Sequence, residues 1–291
     1  MFTDSEATPA RVEMLVELVR KMSGRKLDMP TIRQLLQPDG LPGLTAKSDQ
    51  ARSIVAAARE LNLIEDVEGM VRASGPRGPI TARSALIAAI DENILSDTKV
   101  EPWFALFYAF LLGRNESAAG GPEAGKMWEA RFERELFGGV TQKNRFNDTK
   151  YRGLRRWFRY SGLGWHDGDD RFHPSPYERV LRQIPNIFKT DVELSIDLFM
   201  ERLSERCPEL DGGHLFLTAN PDWIRSHRSI TLGLSHALVD LHLDNRLVLH
   251  CPIDSDGWTI AAAAPPRDGT HLKSDLVSSV RIVNSHEVRN G

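Results

Sequence analysis

Cysteine is almost missing from this sequence: Cys207 and Cys251 are the only two in 291 residues. Two isolated cysteines cannot frame a structural zinc site, and a chain with room for about two or three domains has no need of a disulfide. A reducing, cytoplasmic setting is the simplest expectation. Long apolar runs are missing too. The longest, Trp103 to Leu112 (WFALFYAFLL), has ten residues, against the ~20 that cross a bilayer. It reads as a buried core helix, and no membrane partner is expected. The start, MFTDSEATPARVEM, is acidic and polar and does not read as a secretory signal. An excess of one charge is also lacking. The 37 Lys and Arg stand against 40 Asp and Glu, for a net charge of −3, so any nucleic-acid contact must come from a local patch.

The usual marks of catalysis are absent as well. The sequence holds no glycine-rich phosphate loop, zinc-ligand spacing, HExxH motif or nucleophile elbow. Its nine histidines are scattered without a clear i, i+4 ligand pair. The segment HDGDDRFH (166–173) has the acids and imidazoles of a metal site, yet its glycine and consecutive aspartates read as a solvated turn. NPDW and DSDGW read as turns for the same reason. No catalytic residue, metal ligand or cofactor is expected.

What the sequence does hold is a pattern repeated three times: an amphipathic helix, a short apolar exit, then a polar hairpin. The copies are QARSIVAAARELNLIEDVEGMVRAS (50–74), KYRGLRRWFRYSGLGWHDGDDRFHPSP (150–176) and SITLGLSHALVDLHLDNRLVLHCPIDSDGWTIAAAA (229–264). This is the back half of a winged helix: recognition-type helix, strand, wing, strand. Upstream of the first copy, Val12, Leu15, Val16 and Val19 predict one helix. Pro30 opens a second, with Ile32, Leu35 and Leu36 inward. Ser48 is the expected N-cap of the third helix. GPRGP (75–79) breaks the chain, SAAGGPEAG (117–125) reads as a flexible connector, and Thr190 to Glu193 as a capping box. Val277 to Val283 is a final strand. The expected fold is therefore mainly α with small β-hairpins (α+β), as tandem winged-helix-like modules around a helical middle. The domains are 1–78, winged-helix-like; 79–140, helical; 141–189, a basic winged-helix-like module; and 190–291, a C-terminal winged-helix-like domain.

The middle copy concentrates positive charge. Lys143, Arg145, Lys150, Arg152, Arg155, Arg156 and Arg159 stand against one acid, Asp148. Arg152, Arg155, Arg156 and Arg159 follow i, i+3, i+4, i+7, which predicts four guanidinium groups on one helix face, while Tyr151, Leu154 and Phe158 form an apolar stripe. Four like charges repel one another, and a polyanion relieves that cost through bidentate phosphate bonds and counterion release. These seven residues are the candidate nucleic-acid contacts; a solvated basic face is the plainer alternative. In the first copy Asp49 and Glu60 offset Lys47, Arg52 and Arg59. In the third, His236, Asp240 and Asp244 occupy the polar side, which suits packing on protein better than on phosphate. Trp157 and Trp165 are candidates for stacking on bases, with a core position the commoner fate of such rings.

The phrases ARELNLIED, WFRYSGLGW followed by FHPSPYERVL, and SHALVDLHLDNRLVLHCPIDSDGW resemble DpdG-type proteins over nearly the whole chain. These are encoded in bacterial islands that place 7-deazaguanine derivatives in DNA and restrict DNA lacking them. The resemblance implies an accessory component of the restriction arm of an anti-phage system, acting with separate ATPase, helicase or nuclease subunits. It supplies no active site. The reading is a cytoplasmic, non-enzymatic protein that binds double-stranded DNA through the middle module and docks other defence subunits through the outer ones. A winged-helix transcription regulator and a nuclease or hydrolase with an unfamiliar site are the alternatives.

Overall fold

The structure, a computed structural model, describes residues 7–22, 27–38, 50–74, 80–95, 102–138, 145–250, 256–261 and 275–283. These are mainly helical with small β-sheets, the α+β character that the sequence pattern predicts. Ser48, residues 75–79, Lys143 and Cys251 lie outside the described residues. The chain divides into two units: Met1–Phe104 with Gly121–Ser161, and Ala105–Gly120 with Gly162–Gly291. Residues 79–140 and 141–189, each expected as one module, therefore contribute to both.

In the first unit, α1 (Pro9–Lys21) starts where the Thr8 hydroxyl accepts the Arg11 N–H and Pro9 fills a position that lacks a helical partner anyway. Val12, Leu15, Val16 and Val19 form its buried stripe, as their spacing predicts. Helix α2 (Met29–Leu36) is capped by Asp28, which accepts the Thr31 N–H at 2.9 Å. Its Ile32 is buried but Leu35 is 47% exposed, because so short a helix directs only one narrow seam inward. Helix α3 (Gln50–Glu60) buries Ile54, Val55 and Ala58, and Leu61 follows them into the core. Strands β1 (Ile64–Val67) and β2 (Met70–Ala73) pair antiparallel. Glu68 and Gly69 join them with φ of 54° and 76°, the two left-handed residues that a tight hairpin requires. Helix α4 (Ala82–Asn93) is capped by Thr81, and α1 packs on α3, α4 and β2.

Helix α5 (Pro102–Arg114) is the apolar run, and every residue from Trp103 to Leu112 is buried, as expected of a core helix. It starts in the first unit and continues into the second. No described helix is long and apolar enough to cross a membrane. Helices α6 (Pro122–Phe137) and α7 (Asp148–Tyr160) return to the first unit and pack on each other. Their approach is close at Gly125, where a Cβ would sit 1.8 Å from Asp148 Oδ1.

In the second unit, β3 (Gly164–His166) and β4 (Phe172–Pro174) form the expected hairpin, with Trp165 facing His173. The segment read as a flexible connector supplies it with a third edge. Ala118 is buried and exchanges two 2.8 Å backbone bonds with Phe172. Its backbone polar groups are satisfied by the hairpin, which a run of small residues alone does not reveal. After α8 (Tyr177–Phe188) comes β5 (Glu193–Ser195), then α9 (Ile196–Arg206). This corrects the expected capping box: Thr190 to Glu193 starts no helix, and Ser195 is the cap, accepting the Leu198 N–H at 3.3 Å.

Next come α10 (His214–Ala219), β6 (Ser229–Ile230), α11 (Leu232–Leu243), β7 (Leu247–His250), β8 (Trp258–Ile260), β9 (Leu276–Val277) and β10 (Ser279–Ile282). The third hairpin is not formed as the pattern suggests. Strand β7 pairs antiparallel with β10, which also pairs with β5, whereas β8 lies parallel to β6 and antiparallel to β9. The final strand thus exists but serves two sheets, breaking at Ser278, whose N–H donates to His250 O at 2.9 Å. Helix α8 packs on both α9 and α11.

Candidate nucleic-acid interface

The candidate site is built on α7. Asn147 caps the helix by accepting the Lys150 N–H at 2.9 Å, and Ser161 closes the other end, its hydroxyl donating to Trp157 O at 2.7 Å. The apolar stripe behaves as predicted. Tyr151, Leu154 and Phe158 are buried, with Phe104 and Phe158 edge to face at 4.7 Å and Trp128 and Tyr151 stacked at 6.3 Å. Trp157 joins this core and donates its indole N–H to Ala7 O at 3.2 Å. Of the two tryptophans considered for stacking on bases, this one is structural. At the edge of the helix, the Tyr160 hydroxyl donates to Glu13 at 2.7 Å, and burial with that carboxylate pushes its pKa up.

The structure sorts the basic residues into two groups. Arg152, Arg156 and Arg159, at i, i+4 and i+7, are exposed on one face. Arg155 is not among them. It is 6% exposed, with its guanidinium 5.8 Å from the Tyr151 ring centre. Lys150 is likewise only 4% exposed; its ammonium donates to Arg145 O and lies 5.6 Å from the Trp103 ring centre. The predicted face of four guanidiniums is therefore a face of three. Arg155 borders the apolar stripe at Tyr151, and the packing along that edge of α7 encloses its side chain while Arg156 stays outside it.

Arg145 is exposed ahead of the helix, 3.8 Å from Glu133, and Arg152 meets Asp148 at 2.7 Å. Glu133 also accepts the Phe146 N–H, which fixes the approach to α7. The Arg152–Asp148 pair is largely open to solvent and contributes little, about 0–1 kcal/mol, so phosphate oxygens compete with it readily, whereas Glu133 is itself buried. Among the other helices of this type, α3 exposes Arg52 but ties Arg59 to Asp66 at 2.6 Å. Helix α11 exposes His236, Asp240 and, at its end, Asp244, a poor phosphate surface.

The HDGDDRFH segment is an ordered turn. Asp167 accepts the N–H groups of Asp169 and Arg171 at 3.0 and 2.9 Å and pairs with His173 Nε2 at 2.8 Å. The bond to His173 is the main cause of its pKa falling to about 2, with the backbone bonds adding to it. Among the described residues, no group of three or more His, Cys, Asp or Glu is gathered in a way that could hold a metal ion. The other tryptophan considered for stacking on bases, Trp165, keeps an exposed ring. It is 55% exposed and stacks on His173 at 4.4 Å with 19° between the planes. Its position in a three-residue strand beside a polar turn was the available signal.

No curated protein and no solved structure matches the chain. A family model described as DpdG-like matches residues 1–255. Since that match takes in most of both units, the chain belongs to the DpdG-like family.

Proposed function

We propose that this protein is a non-enzymatic DNA-binding and adaptor subunit of a bacterial anti-phage restriction system. Its α7 face meets duplex phosphates, and other surfaces dock partner subunits. The observation that carries this reading is the exposed row Arg152, Arg156 and Arg159 on a helix whose opposite side is anchored in an aromatic core. A rigid row of guanidiniums suits bidentate phosphate contacts, which hold a protein on DNA without reading sequence. Arg145 adds a fourth exposed charge. Helices α1 to α3 followed by the β1–β2 hairpin have the order of a winged helix, and the setting known for the family supports the defence role. Lys150 and Arg155 act in this reading by shaping α7, and Lys143 is kept as a further phosphate contact.

The test is a mobility-shift titration with unrelated duplexes of one length, comparing the full chain with R152Q/R156Q/R159Q. The wild type should bind all duplexes alike, and the variant should weaken binding to all of them equally at unchanged melting temperature. An unchanged shift in the variant would remove DNA binding from this face and leave an adaptor whose basic surface meets an acidic protein.

A further inference from the structure

Within the first unit, the α7 row has a next place that no arginine of α7 fills. Arg152 and Arg156 are followed at the same four-residue interval by Tyr160, which sets an aromatic ring about 6 Å further along the helix axis. Over that ring, 5.4 Å from its centre, lies the guanidinium of Arg83, a residue of the first turn of α4. We infer that Arg83 is a further contact for duplex phosphates and carries the α7 row onto α4. The inference rests on the DNA-binding reading of α7 and adds to it a residue that lies far from that helix in the sequence.

Arg83 differs from an ordinary surface arginine in how firmly it is placed. The Tyr160 hydroxyl donates to Glu13 Oε2 at 2.7 Å, and Trp157 meets the Tyr160 ring edge to face at 6.1 Å, so the ring beneath the guanidinium is held from two sides. Arg20 of α1 donates from Nη1 to Ile80 O at 2.8 Å, and Thr81 caps α4, which together fix the start of the helix that carries Arg83. A guanidinium lying on a ring keeps its in-plane N–H groups for other acceptors. Its charge is also uncompensated. Arg83 is exposed and forms no ion pair with any described residue, while Glu13 directs Oε2 to the Tyr160 hydroxyl. Nor does α4 itself profit from a cation at this place. The first turn of a helix favours acids, because the peptide dipoles gather positive charge there, and the first turn of α4 holds none. A phosphate in front of Arg83 relieves that conflict and completes a bidentate bond.

The test is fluorescence anisotropy of a labelled duplex across a salt series, with the full chain as wild type, R83Q, R83K and R152Q/R156Q/R159Q. Losing one phosphate contact should make the slope of log K against log salt about 0.9 units shallower in R83Q, which is roughly an 8-fold loss of affinity at 0.1 M salt. R83K keeps the charge without the flat stack, so it should retain the wild-type slope and lose only part of the affinity. Adding R83Q to the triple variant should flatten the slope by about the same amount again. The melting temperature of R83Q should match wild type. An arginine that only braces Tyr160 gives the reverse result, a lower melting temperature at unchanged slope, and that outcome would overturn the inference. A wild-type slope in R83Q beside weakened binding in the triple variant removes Arg83 alone and leaves the α7 reading standing. Wild-type affinity in R83Q and in the triple variant alike, or no binding of duplex by the wild type, overturns both.

Discussion

Replacing Glu209 with glutamine should destabilise the second unit severely, although the change is one atom in kind. Arg179 of α8 and Glu209 are both essentially inaccessible to water. The guanidinium donates from Nε to Glu209 Oε1 at 2.7 Å and from Nη2 to Arg206 O at 2.9 Å. Glutamine keeps an oxygen acceptor at that place but removes the charge. Arginine cannot shed its proton to escape the cost, so a buried cation loses the carboxylate that faces it. Breaking such a pair from one side costs about 3–5 kcal/mol, a large part of the roughly 5–15 kcal/mol that holds a folded protein together. The nearby Tyr108 hydroxyl gives an internal readout. Burial, first, and then the Glu209 charge push its pKa well up, so losing Glu209 should lower it. Denaturant unfolding followed by tryptophan fluorescence measures the loss, since Trp223 and Trp258 lie within the same unit. The double variant R179M/E209L removes both charges and should recover most of the stability, because paired replacement by apolar groups is often neutral or better. A single variant within about 1 kcal/mol of wild type, or a double variant worse than the single, would refute the reasoning.

Further outcomes follow from the same physics. If Arg152, Arg156 and Arg159 each neutralise one phosphate, the slope of log K against log salt should be about 3 units shallower in R152Q/R156Q/R159Q than in wild type, measured by fluorescence anisotropy across a salt series. Arg155→Ala should lower the melting temperature while Arg156→Ala leaves it unchanged, since only Arg155 is buried; calorimetric scans of the two decide it. Leu154→Ala should cost about 2–5 kcal/mol in denaturant unfolding, because the side chain is fully enclosed. Asp211 is buried and accepts both the N–H and the O–H of Thr231, yet burial outweighs these bonds and raises its pKa from 3.8 to about 6. The folded state then holds this proton more tightly, so its contribution to stability is present below pH 3.8 and is lost as pH rises through about 6. Comparing denaturation midpoints of wild type and Asp211→Asn across that window should show a pH-dependent difference approaching roughly 3 kcal/mol, and parallel curves would refute it.

Local pattern was enough to determine the helices and their inner faces. The stripes of α1, α3 and α7, the burial of α5 and the β3–β4 hairpin all follow from spacing and turn chemistry within a dozen residues, because helix and hairpin geometry is set by near neighbours. The concentration of arginine on α7 was equally plain, and the motifs that resemble the DpdG-like family are carried by the sequence itself. Tertiary structure decided what depends on distant partners. The pairing of β7 with β10 rather than β8, and the parallel β6–β8 contact, join segments about thirty residues apart, for which no periodicity speaks. The start of α9 moved because β10 claims the backbone of Glu193 to Ser195. A helical wheel gives the angle of Arg155 but not the depth of its surroundings, and so it could not separate that side chain from Arg156. The same limit applies to the two tryptophans. Trp157 and Trp165 are alike in sequence as aromatic residues beside basic or polar ones, and only the packing around each makes one core and leaves the other an exposed platform.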